Sequence, residues 1–144
     1  MRTAIINKAG LKIGFIGIAE REWINILQNL EVDLIYTNYK RCATEYAKKL
    51  REVDNCDMVI ALTHMRVNHD EKFAREVPGI DLVLGGHDHE YYCLDVKHEL
   101  KAGGGVENKH VPIVKSATDY RDMSEIDITF KVPESEFNKF KTSQ

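Results

Sequence analysis

The sequence has no long apolar run, no surplus of basic residues and no paired cysteines. No stretch approaches the roughly 20 apolar residues that a membrane-spanning helix needs, so no membrane partner is expected. Its 144 residues carry 20 Lys and Arg against 23 Asp and Glu, a formal net charge of -3. Without a basic stripe there is no footprint of a nucleic-acid backbone binder. The opening MRTAIINKAG lacks the apolar core of a signal peptide. Cys42, Cys56 and Cys93 are odd in number and far apart. They fit neither a C-x-x-C pair nor a disulfide framework, and are expected to be reduced, part-buried thiols.

What is present is an α/β pattern. TAIIN and LKIGFIGIA, split by KAG, predict a hairpin. EREWINILQNL places Trp23, Leu27 and Leu30 at helical spacing, and VDLIYT is a short apolar run of open type. From Tyr39 to Val53, Tyr39, Cys42, Ala43, Tyr46, Ala47 and Leu50 share one helical face, with charged residues opposite. DMVIALT and IDLVLGG are continuous apolar runs, as buried parallel strands are. A helix from about Asp70 to Val77 is expected between them, stopping at Pro78-Gly79. Together they predict a βαβ unit. EYYCLDVKHEL, VPIVKSAT and MSEIDITFKV then predict antiparallel strands, the first two joined by the Gly-rich loop KAGGGVENKH. The tail over 131–144 is polar.

Both apolar strands end in histidine: His64 after VIALT, His87 and His89 after LVLGG. Ligand sites in parallel sheets gather beyond the carboxyl ends of the strands. If the strands are neighbours, three imidazoles converge on one edge. Residues i and i+2 of an extended segment point the same way, about 6.6 Å apart. Such a set suits one metal ion, or two ions about 3.5–4 Å apart. An isolated H-x-H is more often a solvated surface pair; the third histidine is what turns the balance towards metal. Gly85 and Gly86 leave room for close backbone approach.

At these residues the chain resembles the 5′-nucleotidase branch of the calcineurin-like metallophosphoesterases. The resemblance rests on IALTHMRVNHDEKFAREVPGIDLVLGGHDHEYY, flanked by GLKIGFIGIAEREWI and VPIVKSATDYRDMSEIDITF, and runs from about Gly10 to Phe130. It implies that His64 and His87 ligate one divalent ion and His89 a second, zinc, manganese or iron. The ions would bind a nucleotide or another phosphate monoester and activate a hydroxide for in-line attack. Arg66 stands where the wider family has glycine, and either contacts phosphate through its planar fork or is solvated at the rim.

The family's D-x-H, G-D and G-N-H-[DE] motifs are not found before His64. Asn68-His69-Asp70 imitates the last of them but follows His64 and lacks the glycine; Asp70 fits a helix N-cap better. Asp88 is expected to brace the loop or a histidine N–H, His98 and His110 to be solvated, and Asp119 and Arg121 to pair locally. The whole of 1–144 is therefore expected to be one partial domain, the C-terminal half of a metallophosphoesterase sandwich, with a parallel βαβ unit followed by antiparallel strands. Its true N-terminus would lie upstream, which leaves the compartment open. As a fragment it is expected to lack activity and to hold at most one metal ion, weakly. It would partner the missing N-terminal half or associate as a homo-oligomer. The alternative is a non-catalytic module that binds a partner chain.

Overall fold

The computed structural model describes residues 3–26, 35–98 and 109–131. Six strands form one sheet: β1 (Thr3–Lys8), β2 (Leu11–Ala19), β3 (Met58–His64), β4 (Leu82–Gly85), β5 (Tyr91–Lys97) and β6 (His110–Ser116). Their spatial order is β1-β2-β3-β4-β6-β5. β2, β3, β4 and β6 run parallel, and each outer strand pairs antiparallel with its neighbour. The predicted hairpin and βαβ unit are both present. β6 plays two roles, antiparallel to β5 and parallel to β4, so the expected antiparallel strands join the same sheet as the βαβ unit.

Among the described residues three helices accompany the sheet: α1 (Glu22–Ile26), α2 (Tyr39–Glu52) and α3 (Val67–Glu76). The Asn38 side chain opens α2 by accepting from the Lys40 and Arg41 amides, as N-caps do. α2 lays its narrow stripe of Ala43, Ala47 and Leu50, all fully buried, on the sheet. α3 adds Phe73 and Ala74 to the same core, with Val59, Ala61, Val83, Val111 and Ile113 from the strands. The Arg51 guanidinium ties the end of α2 to the starts of β3 and β4, donating to the carbonyls of Cys56, Asp57 and Gly79 and pairing with Asp81. The other face of the sheet carries Met58, Ile60, Leu82 and Val114. Residues 124–129 run beside it and leave a groove of about 480 Å³.

Several expectations change. α3 starts at Val67, three residues before Asp70, and its N-cap Arg66 makes no side-chain capping bond. Asp70 is thus inside the first turn and fully buried, for the reason given below. Residues 122–131 have no regular secondary structure and no strand pairing: β5 already occupies the free side of β6. His98 is buried, its Nδ1 2.9 Å from the Ala74 carbonyl oxygen, whereas His110 is exposed beside Asp95. Asp119 and Arg121 pair at 3.2 Å, as expected. Leu27 and Leu30, half of VDLIYT, most of KAGGGVENKH, and the tail from residue 132 lie outside the described residues. No helix among the described residues is long and apolar enough to cross a membrane.

Candidate functional site

Parallel register brings three strand ends together. Ala19 pairs with His64, and Thr63 with Gly85. The Gly86 amide continues the ladder by donating to the Thr63 carbonyl at 2.8 Å. His87 follows with φ +77°, a left-handed conformation that costs a non-glycine residue about 1–2 kcal/mol. This turn faces its imidazole towards His64; the two ring centroids are 5.4 Å apart. His89 lines the same cleft of about 420 Å³ as His64 and His87, with Ser116 and residues 117–120 on the far wall.

The two glycines have separate reasons. A Cβ on Gly86 would lie 3.0 Å from His64 Nδ1. A Cβ on Gly85 would lie 2.8 Å from Lys115 Cε and 3.0 Å from Asp70 Oδ2. One clears the imidazole; the other clears a buried ion cluster beneath it.

That cluster is centred on the Lys115 ammonium, whose side chain is wholly buried. It donates to the carbonyls of Met65 at 2.6 Å and Gly86 at 2.8 Å and to Asp88 Oδ2 at 2.5 Å. Asp70 Oδ2 is a fourth oxygen at 2.7 Å. An ammonium has three hydrogens, and they are taken, so the Asp70 contact is coulombic; neither Asp70 oxygen has a partner in hydrogen-bond geometry. Burial pushes the Asp70 carboxyl up, against the pull of Lys115 and Thr63.

A second carboxylate, Glu20, follows β2 at the same edge and is only 4 % exposed. Its Oε2 is 2.7 Å from His69 Nδ1 and accepts from the Arg66 amide at 3.2 Å. Its Oε1 is 3.7 Å from His87 Nε2. The Arg66 guanidinium pairs with Glu22 and lies 3.7 Å from Glu20. Trp23 packs edge-on against His64 at 4.6 Å and His87 at 5.6 Å, and its Nε1–H donates to the His64 carbonyl.

The donor chemistry at this edge fits a divalent ion in part. His64 is held below the usual histidine range, by desolvation first and then by the neighbouring His87 imidazole and the Lys115 ammonium. A neutral imidazole is the form that binds a metal. Yet among the described residues no three His, Cys, Asp or Glu side chains are gathered to hold an ion. The edge offers a pair of converging imidazoles, with His89 lining the same cleft, and among the described residues does not form a complete site.

The stretch that builds this edge has relatives. The trifunctional nucleotide phosphoesterase YfkN of Bacillus subtilis is 32% identical over 98 residues, 67% of this chain and 6% of its own length. An apyrase of Aedes aegypti is 31% identical over 107 residues, 73% of this chain and 18% of its own. A 5′-nucleotidase precursor of Thermus thermophilus superposes on 80% of this chain and 24% of its own, with TM-score 0.68 and 20% identity. This chain belongs with the 5′-nucleotidases. No family model matches it. It spans only 6% of the length of the first of these curated relatives and 18% of the second.

Sequence reasoning located His64, His87 and His89 at strand ends and missed Glu20, Trp23 and Lys115. Lys115 had a signal: it shares the inward strand period with Val111 and Ile113, all buried. Glu20 had a weaker one, as the residue that follows β2 at the edge where β3 ends.

The depressed His64 pKa has a defined consequence. Above about 6.5, the ordinary value, it leaves stability unchanged. Below that the unfolded chain takes up the proton first, so stability declines as pH falls towards the folded pKa. Histidine NMR should give His64 a midpoint below about 6.5 that moves back up in His87→Ala. A midpoint at or above the ordinary value would contradict the packing described.

Proposed function

We propose that this chain forms the histidine edge of a calcineurin-like metallophosphoesterase that hydrolyses phosphate monoesters of nucleotides. The observation that carries the reading is the convergence of His64 and His87, at 5.4 Å between ring centroids, on the carboxyl ends of adjacent parallel strands. The nucleotide substrate is inferred from the relatives, which are named nucleotide phosphoesterase, apyrase and 5′-nucleotidase.

In this reading His64 and His87 share one divalent ion and His89 serves a second, zinc, manganese or iron. Such ions would neutralise phosphate charge and supply a nucleophile from water at neutral pH. The chain's own contribution is to orient and shield. Trp23 covers one side of both imidazoles, and the left-handed turn at His87 sends His87 and His89 to the cleft. Arg66 stands at the rim, where reaching a substrate phosphate would mean releasing Glu22. The remaining metal ligands would come from a partner segment, the N-terminal half of such a domain.

The chain by itself is then inactive. With p-nitrophenyl phosphate or AMP and added manganese or zinc, turnover should stay well below the roughly 1–1,000 per second of an ordinary enzyme. A rate in that range that His87→Ala abolishes would show that the ligand set is already complete.

The same incompleteness favours association. Ile5 and Ile6 on the outer strand β1, and Leu62 on the second face, are 41 %, 52 % and 44 % exposed, and an unpaired strand edge recruits other chains. The chain is expected to form a homo-oligomer. Light scattering after size exclusion should give a mass above 16.5 kDa; a monomeric mass throughout the micromolar range would refute it.

A further inference from the structure

Lys115 is a costly residue to place in a core. Its side chain is fully excluded from solvent, and a buried ammonium is tolerated only when paired and hydrogen-bonded. Where its three hydrogens go is therefore informative. One goes to the carbonyl of Met65, the residue after His64. One goes to the carbonyl of Gly86, the residue before His87. The third goes to the carboxylate of Asp88, between His87 and His89. Every hydrogen lands on a residue adjacent to one of the three histidines, and none is used elsewhere.

The placement also explains the strained turn. His87 takes a positive φ, and the ammonium holds the peptide before it and the side chain after it. Asp70, the fourth oxygen, anchors the ammonium to the first turn of α3. Gly85 is open to just this extent, since a Cβ there would collide with both Lys115 and Asp70.

We propose that Lys115 is a positioning residue, an internal cation that clasps the β3 and β4 turns together and so sets the mutual placement of His64, His87 and His89. The proposal rests on the metal-edge reading above and adds the residue that would preorganise it. Partners that orient metal ligands in this way typically change metal affinity by about 10- to 100-fold when removed.

Two measurements on the whole chain test it, with Lys115→Met, which keeps length and loses the charge. The first needs no metal: amide exchange at Gly86 and Asp88, which donate to the Thr63 and Gly86 carbonyls, should quicken at least about tenfold relative to amides of β2. The second is zinc affinity, read from the fluorescence of Trp23, the single tryptophan, which touches both imidazoles. Affinity should fall by about tenfold or more. Leu50→Ala, a fully buried cavity mutation remote from the edge, should lower stability while leaving zinc affinity within about twofold.

If Lys115→Met does not fold, Lys115→Met/Asp70→Asn, which removes the carboxylate held by charge alone, is measured in the same way. Unchanged exchange at residues 86 and 88, or an equal loss of zinc affinity in Leu50→Ala, overturns the role. So does failure of both Lys115 variants to fold, which would make the ammonium a general requirement of the core. If the unaltered chain binds no zinc, the metal-edge reading falls, and the exchange measurement alone decides whether Lys115 clasps the turns.

Discussion

Parallel pairing sends the carboxyl ends of β2, β3 and β4 to one edge, and everything at that edge follows from their register. Ala19 lies beside His64 and Thr63 beside Gly85, so the next residues, Glu20, His64 and Gly86-His87, meet without any long-range loop. A slip of one residue in β3 would turn His64 to the opposite face and put Thr63 or Met65 in its place. The apolar faces resist such a slip. Val59 and Ala61 are fully buried beneath the helices, while Met58 and Ile60 are buried on the other side. A core that specifies β3 on both faces thus also specifies where its terminal histidine stands.

The edge is rich in buried charge, which hydrophobic packing alone would not select. Lys115 faces Asp70 and Asp88; Glu20 faces Arg66, His69 and His87. Neither cluster argues for stability, because desolvation of both partners offsets much of the attraction. What they supply is direction. The Lys115 and Glu20 contacts form only when the β2, β3 and β4 ends lie as observed, so the clusters select one arrangement of the turns among those the apolar core permits. Away from this edge, the Arg51 hub at the opposite end of the sheet binds mostly carbonyls and Asp81.

Most of this was legible in particular residues. The continuous apolar runs DMVIALT and IDLVLGG announced parallel strands, and β3 and β4 are those strands. The stripe from Tyr39 to Leu50 announced α2, which spans Tyr39–Glu52. Where the reading failed, tertiary contacts won over local pattern. Asp70 has the chemistry of an N-cap, but Lys115 draws it into the core, and α3 begins a turn earlier. MSEIDITF has strand composition, but β5 had already taken the open side of β6. His98 looked solvated beside a Gly-rich loop, yet its ring meets the Ala74 carbonyl on α3. The strand period could mark Lys115 as inward-facing, but the roles of Lys115 and Glu20 depend on partners more than twenty positions away, which no local period records.

The central claim is that the imidazoles of His64 and His87 share one ion. X-ray absorption at the zinc edge of the loaded chain tests it without reference to activity. The account predicts two imidazole nitrogens for each zinc at about 2.0–2.1 Å, falling to one in His64→Ala and in His87→Ala. A spectrum with a single imidazole in the unaltered chain, or one that neither substitution changes, would contradict it.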